Sequence, residues 1–113
     1  MMEIELKDIN GIAVVSMIGE LDALSAPELT SFFESRVGDT YINLVTDLEG
    51  LSYSSSAGIR VFLGLARSFR QKGGDLRIAA VMPNVEKIFK LSKFDRIVKI
   101  FPSVEDALKS YDD

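Results

Sequence analysis

The stretch Tyr41–Val81, "YINLVTDLEGLSYSSSAGIRVFLGLARSFRQKGGDLRIAAV", decides the fold. It opens with Tyr41-Ile42-Asn43-Leu44-Val45, a short apolar run rich in β-formers that reads as a strand. From Ala57 to about Lys72 the period changes. Ile59, Phe62, Leu63, Ala66 and Phe69 now recur at helical spacing on one face. Gly73-Gly74 stops that helix, and Leu76-Arg77-Ile78-Ala79-Ala80-Val81 reads as the next strand. Strand, helix, strand in this order predicts a parallel pair joined by a right-handed crossover. Asp47–Ser56, between the first strand and the helix, is expected to be a loop.

The flanks extend the same pattern. Glu3-Ile4-Glu5-Leu6-Lys7 alternates like a half-buried strand, and Asn10-Gly11 is a two-residue hairpin signal before the strand Ile12–Ile18. Gly19-Glu20-Leu21-Asp22 leaves that strand. Ser25 with Glu28 three residues on reads as a capping box, and Pro27 is tolerated in the first turn. Leu29, Phe32 and Phe33 carry this helix to about Val37, before Gly38-Asp39. Pro83 opens a third helix, in which Phe89 and Leu91 are expected in the core. Phe94 follows a short break and either packs the helix end or joins an interface. Ile97–Ile100 reads as a short last strand. Ser103, with Asp106 three residues on, caps a final helix through Ala107, Leu108 and Tyr111, and Tyr111-Asp112-Asp113 is expected to fray. The expectation is an α/β fold: one domain over residues 1–113, with a mixed, mostly parallel sheet of four to five strands and about four helices.

Composition narrows the chemistry. The 113 residues are 47% hydrophobic and 27% charged, as in an ordinary globular domain. There is no cysteine, which excludes disulfides, thiolate metal sites and a cysteine nucleophile. There is no histidine, which removes the commonest general base, the commonest zinc ligand and any Ser-His-Asp triad. The net charge of −4 and the scattered basic residues speak against nucleic acid. Neither G-x-G-x-x-G nor G-x-x-x-x-G-K-[ST] occurs. The apolar run Ile59–Ala66 is too short to span a bilayer, and Met-Met-Glu-Ile-Glu does not resemble a signal peptide. A cytoplasmic protein without enzymatic activity, cofactor, metal or membrane insertion is expected.

In such sheets, loops at the strand C-terminal ends gather function, because helix N-termini point outward there. Ser54-Ser55-Ser56 lies in such a position. One reading makes one serine a helix cap and the other two solvated loop residues. The other makes Ser56 a phosphoacceptor, with the phosphate favoured by the helix dipole and free N–H groups. Without a histidine, a partner kinase would supply the catalysis. Ala57 and Gly58 are small, so a partner could approach closely. Arg60, Gly64 and Ser68 lie opposite the core stripe with Val61 beside them. Gly64 is either a neutral accident or part of a low-relief groove for a partner.

Several segments together resemble one family. Gly19-Glu20-Leu21-Asp22 follows the second strand, "DLEGLSY" spans Asp47–Tyr53, and "SSAGIRVFLGLAR" spans Ser55–Arg67. The ending "GGDLRIAAVMPNVEKIFKLSKFDRIVKIFPSVEDAL" covers Gly73–Leu108. This set is similar to the STAS domain, and within it to the small bacterial anti-sigma factor antagonists. The resemblance implies that Ser56, two residues before Gly58, is phosphorylated by an anti-sigma factor serine kinase. It further implies that the unphosphorylated form binds that kinase and frees a sigma factor, and that a metal-dependent serine phosphatase resets the switch. It puts Asp22 at the family's acidic position near the kinase contact, and a monomer is expected from family precedent and small size. Ser55 stands where the family usually has aspartate, which leaves Ser55 as the alternative acceptor. The expected partner contacts are Asp22, Ser55, Ala57, Gly58, Arg60, Val61 and Gly64. The competing reading keeps the fold but makes the chain a non-switching scaffold subunit of a signalling or lipid- or anion-transport complex.

Overall fold

The computed structural model describes residues 2–112. Strands β1 (Glu3–Ile9) and β2 (Ile12–Leu21) form the opening hairpin, pairing antiparallel from Glu3 opposite Ile18 to Ile9 opposite Ile12. Asn10 and Gly11 take φ of 54° and 82°, and Asp8 Oδ1 accepts the Gly11 N–H at 3.0 Å. Two successive positive φ values give the turn whose twist matches a two-stranded ribbon.

Helix α1 (Ala26–Phe32) runs on into a π-helical turn, Phe33–Val37. The rest of the chain alternates: β3 (Asn43–Ser54), α2 (Ser56–Gln71), β4 (Asp75–Ala79), α3 (Pro83–Leu91), β5 (Lys99–Phe101) and α4 (Val104–Lys109). The sheet order is β1-β2-β3-β4-β5, with every pair after the first parallel. Each crossover steps in the same direction, so right-handed connections lay α1, α2 and α3 on one face. The core agrees. Leu29 of α1, Phe62 of α2 and Phe89 of α3 share one buried cluster with Val15, Leu44 and Ile78 of the sheet. Ala107 of α4 packs on Val14, Val45 and Ala79 on the other face. Phe94 is buried against the helix end, its ring centroid 4.8 Å from that of Phe89.

Four expectations are corrected. Asp47–Ser56 is not a loop, because β3 continues to Ser54. Beyond Asp47 opposite Ala79, β3 loses β4 as a neighbour and pairs with β2 alone, through register shifts. Leu48, Leu51 and Ser54 point inward three residues apart, a spacing that hides the strand's two-residue period. Ser25 does not cap α1: its backbone is already helical, and its hydroxyl makes no capping bond. Leu91, the last residue of α3, is 75% exposed rather than in the core. Tyr111 is not frayed. Its hydroxyl lies 2.8 Å from the carbonyls of both Leu44 and Asp75, and the Arg77 guanidinium stacks 4.0 Å over its ring. Asp113 lies outside the described residues. The Ser103 cap stands, its Oγ accepting the Asp106 N–H at 3.1 Å.

Candidate functional site

The three serines have three different positions. Ser54 ends β3 with its side chain fully buried, and its Oγ donates to the Ser55 carbonyl at 3.2 Å. Ser55 is the N-cap of α2: its backbone is extended and its Oγ accepts the Ala57 N–H at 3.2 Å. Ser56 is the first residue of the helix and is exposed. The capping reading therefore holds for Ser55, the hydroxyl of Ser56 is exposed, and Ser54 is not the solvated loop residue expected. The Ser55 N–H donates to the Leu21 carbonyl at 2.8 Å, which ties the start of α2 to the end of β2.

The cap also explains the departure at Ser55. Aspartate and serine are both strong N-cap residues, since either offers an oxygen to the same orphan N–H. Serine keeps the hydrogen bond and omits the charge.

The turn after β2 is closed by Asp22 and Ser25. Asp22 Oδ1 accepts the N–H groups of Leu24 and Ser25, each at 3.0 Å. Ser25 Oγ accepts the Asp22 N–H at 2.9 Å and donates to the Glu20 carbonyl at 2.8 Å. The Ser25 N–H above all holds the Asp22 carboxyl below its usual range, because these bonds favour the charged form. The turn leaves Leu24 91% exposed, immediately beyond the strand end to which Ser55 is tied. Leu24 was not singled out in the sequence, where a lone apolar residue in a turn carries no periodic signal.

Helix α2 separates the other candidates. Ala57 is half-buried. Gly58 is buried and does not face a partner. A Cβ there would lie 2.5 Å from Ser54 Oγ and 2.7 Å from Leu21 Cδ2, so its smallness serves internal packing. Arg60, Val61 and Gly64 do come together. With Thr30, Phe33, Glu34 and Leu65 they line a mainly apolar groove of about 350 Å3 between α1 and α2. A Cβ on Gly64 would meet nothing within 4 Å. The α1 side of the groove is legible only in retrospect, from the four-residue spacing of Thr30 and Glu34.

No group of three or more carboxylates that could hold a metal occurs among the described residues, and no described helix is long and apolar enough to cross a membrane. The arrangement offers an exposed hydroxyl at the N-terminus of α2, one helical turn before Arg60 in the groove lining.

The STAS domain profile matches residues 3–107, and the chain belongs to the STAS domain family. BtrV of Bordetella bronchiseptica, named a candidate anti-sigma factor antagonist, is 30% identical over 110 residues, covering 97% of this chain and 95% of that protein. The anti-sigma F factor antagonist of Paenibacillus polymyxa is 26% identical over 108 residues, covering 95% and 92%. Among solved structures, an anti-sigma factor antagonist from Mycobacterium paratuberculosis superposes with a TM-score of 0.87 at 27% identity, covering 100% of this chain and 96% of that one.

Proposed function

We propose that this chain is an anti-sigma factor antagonist whose protein binding is switched by phosphorylation of Ser56. In this reading it is a regulatory binding domain over residues 1–113, a cytoplasmic monomer rather than an enzyme. The observation that carries the proposal is the division of labour among the serines. Ser54 is buried and Ser55 is engaged as the cap, so Ser56 alone presents an exposed hydroxyl at the start of α2. The names of the relatives support the same reading.

The unphosphorylated form binds an anti-sigma factor serine kinase and thereby frees a sigma factor. Arg60, Val61 and Gly64 give the kinase a groove, while Ala57 and the Asp22 turn flank the serine. In the switching step, Ser56 Oγ attacks the γ-phosphorus of ATP held by the kinase. The bond from that phosphorus to the bridging oxygen breaks, ADP leaves, and the hydroxyl proton passes to a base on the kinase. The new group adds about −1.5 to −2 charges at the contact and lowers the affinity. A metal-dependent serine phosphatase hydrolyses the ester and restores the hydroxyl.

Phosphosite mapping by mass spectrometry, on protein from its native cells with and without Ser56→Ala, tests the proposal. Phosphate on Ser56, absent in the variant, is the expected result. Phosphate on Ser55 would move the switch to the cap. A chain unmodified in growth and stress alike would refute switching.

A further inference from the structure

We propose that Arg60 is an intramolecular clamp for the phosphate on Ser56, and that it carries the phosphorylation state into the α1–α2 groove. The proposal rests on the reading of Ser56 as the phosphoacceptor.

The placement of the two residues leads there. Ser56 and Arg60 are four apart in the 16-residue helix α2, and both are exposed. Residues at this spacing are neighbours on a helix surface. Helical side chains lean toward the N-terminus, so a residue at i+4 leans back over the residue at i. Arg60 is the only charged residue from Ser56 to Ala66. The ion pairs of the described residues join Arg70 and Arg77 to Asp75, Lys72 to Asp39, Lys90 to Glu86 and Lys109 to Glu105, and none engages Arg60. The guanidinium is thus uncommitted while Ser56 carries a hydroxyl.

Arg60 also lines the groove, with Val61 and Gly64 on its own helix and Glu34 across from it on the π-helical turn. The other acidic groups at this end are Glu20 and Asp22, on β2 and its exit, beside the strand end that holds Ser55. A dianionic phosphate at Ser56 out-competes carboxylates that form no ion pair with Arg60 for a planar donor that can bond it twice. The phosphate then biases Arg60 toward the N-terminus of α2 and away from the groove lip. One covalent change thereby alters two surfaces, the serine and the groove, without moving the backbone.

The test needs no partner protein. Phosphoserine is installed at position 56 during translation, in the full chain and in Arg60→Gln and Arg60→Lys variants. Folding of each is confirmed by its backbone amide spectrum. The second ionisation of the phosphate is followed by phosphorus NMR at low and high salt. Loss of the clamp in Arg60→Gln should raise that pKa by about 0.3 pH units at low salt, with Arg60→Lys between. The methyl signals of Val61 and Leu65 should shift on phosphorylation in the parent chain and stay near their unphosphorylated positions in Arg60→Gln. An identical titration in parent and Arg60→Gln chains would overturn the clamp. Methyl shifts that survive Arg60→Gln would overturn transmission through Arg60. Cellular phosphosite mapping fails or succeeds separately, so an unmodified Ser56 in cells is distinguishable from a missing clamp.

Discussion

The same substitution at two glycines of one helix should have opposite effects. Gly58→Ala and Gly64→Ala both lie in α2 and both gain helix propensity, worth about 0.5–1 kcal/mol. At Gly64 nothing opposes the gain, since an added Cβ meets no atom within 4 Å. At Gly58 the same atom would sit 2.5 Å from Ser54 Oγ and 2.7 Å from both Leu21 Cγ and Cδ2. Those distances are far inside van der Waals contact, and both neighbours are fully buried. Overpacking of this kind costs about 1–3 kcal/mol. The net expectation is a loss of about 1–2 kcal/mol at Gly58 and a gain of about 0.5–1 kcal/mol at Gly64. For a chain of this length, unfolding entropy converts each kcal/mol into about 4 °C of Tm. Gly58→Ala should therefore melt about 4–8 °C lower and Gly64→Ala about 2–4 °C higher, by calorimetry with urea melts as a check. Tm shifts of the same sign at both sites would refute the assignment of Gly58 to packing between β2 and α2 and of Gly64 to open surface.

Two further outcomes follow from buried polar groups. Thr46 Oγ1 is buried in the core without a hydrogen-bond partner among the described residues, so Thr46→Val should raise stability by about 1 kcal/mol in urea melts. Tyr111→Phe removes a hydroxyl seated between the Leu44 and Asp75 carbonyls and should cost about 1–2 kcal/mol. Burial, chiefly, raises the Tyr111 pKa above its ordinary value of 10.0. The native state thus favours the neutral phenol, and its contribution is complete below the unfolded pKa and is lost as pH rises above it. Denaturant melts from pH 8 to 11 should show the parent declining above about pH 10 and Tyr111→Phe declining less.

The parts of the fold legible in the sequence were those carried by local chemistry. Asn10-Gly11 announced its hairpin, the apolar stripe of α2 its buried face, and Ser103 its cap. What escaped was set by distant neighbours. The second half of β3 has one strand partner and an irregular register, so Leu48, Leu51 and Ser54 do not alternate with their neighbours. Tyr111 is held by a carbonyl 67 residues away, which no local pattern encodes. Ser25 fits the capping-box spelling, but its hydroxyl is used by Asp22 and Glu20. At the candidate site, the lining of one groove by Arg60, Val61 and Gly64 is legible from spacing alone, because one face of one helix is a local property. Gly58 escapes a local reading because it packs against side chains of the sheet, Leu21 at the end of β2 and Ser54 at the end of β3.

The tie from Ser55 to Leu21 has a consequence for how this region can drift in evolution. It fixes the phase at which strand becomes helix, so three identical letters carry three different sets of permitted replacements. Position 54 is confined to small residues by the close approach of Gly58. Position 55 can drift among asparagine, aspartate, threonine and serine, the residues able to cap. Position 56 is exposed and free of packing constraint, so under the proposed switch it is held to serine by the phosphorylation chemistry alone. An alignment shifted by a single residue across this run would exchange these three sets, and would assign the pressure of the proposed switch to a residue that only fills space.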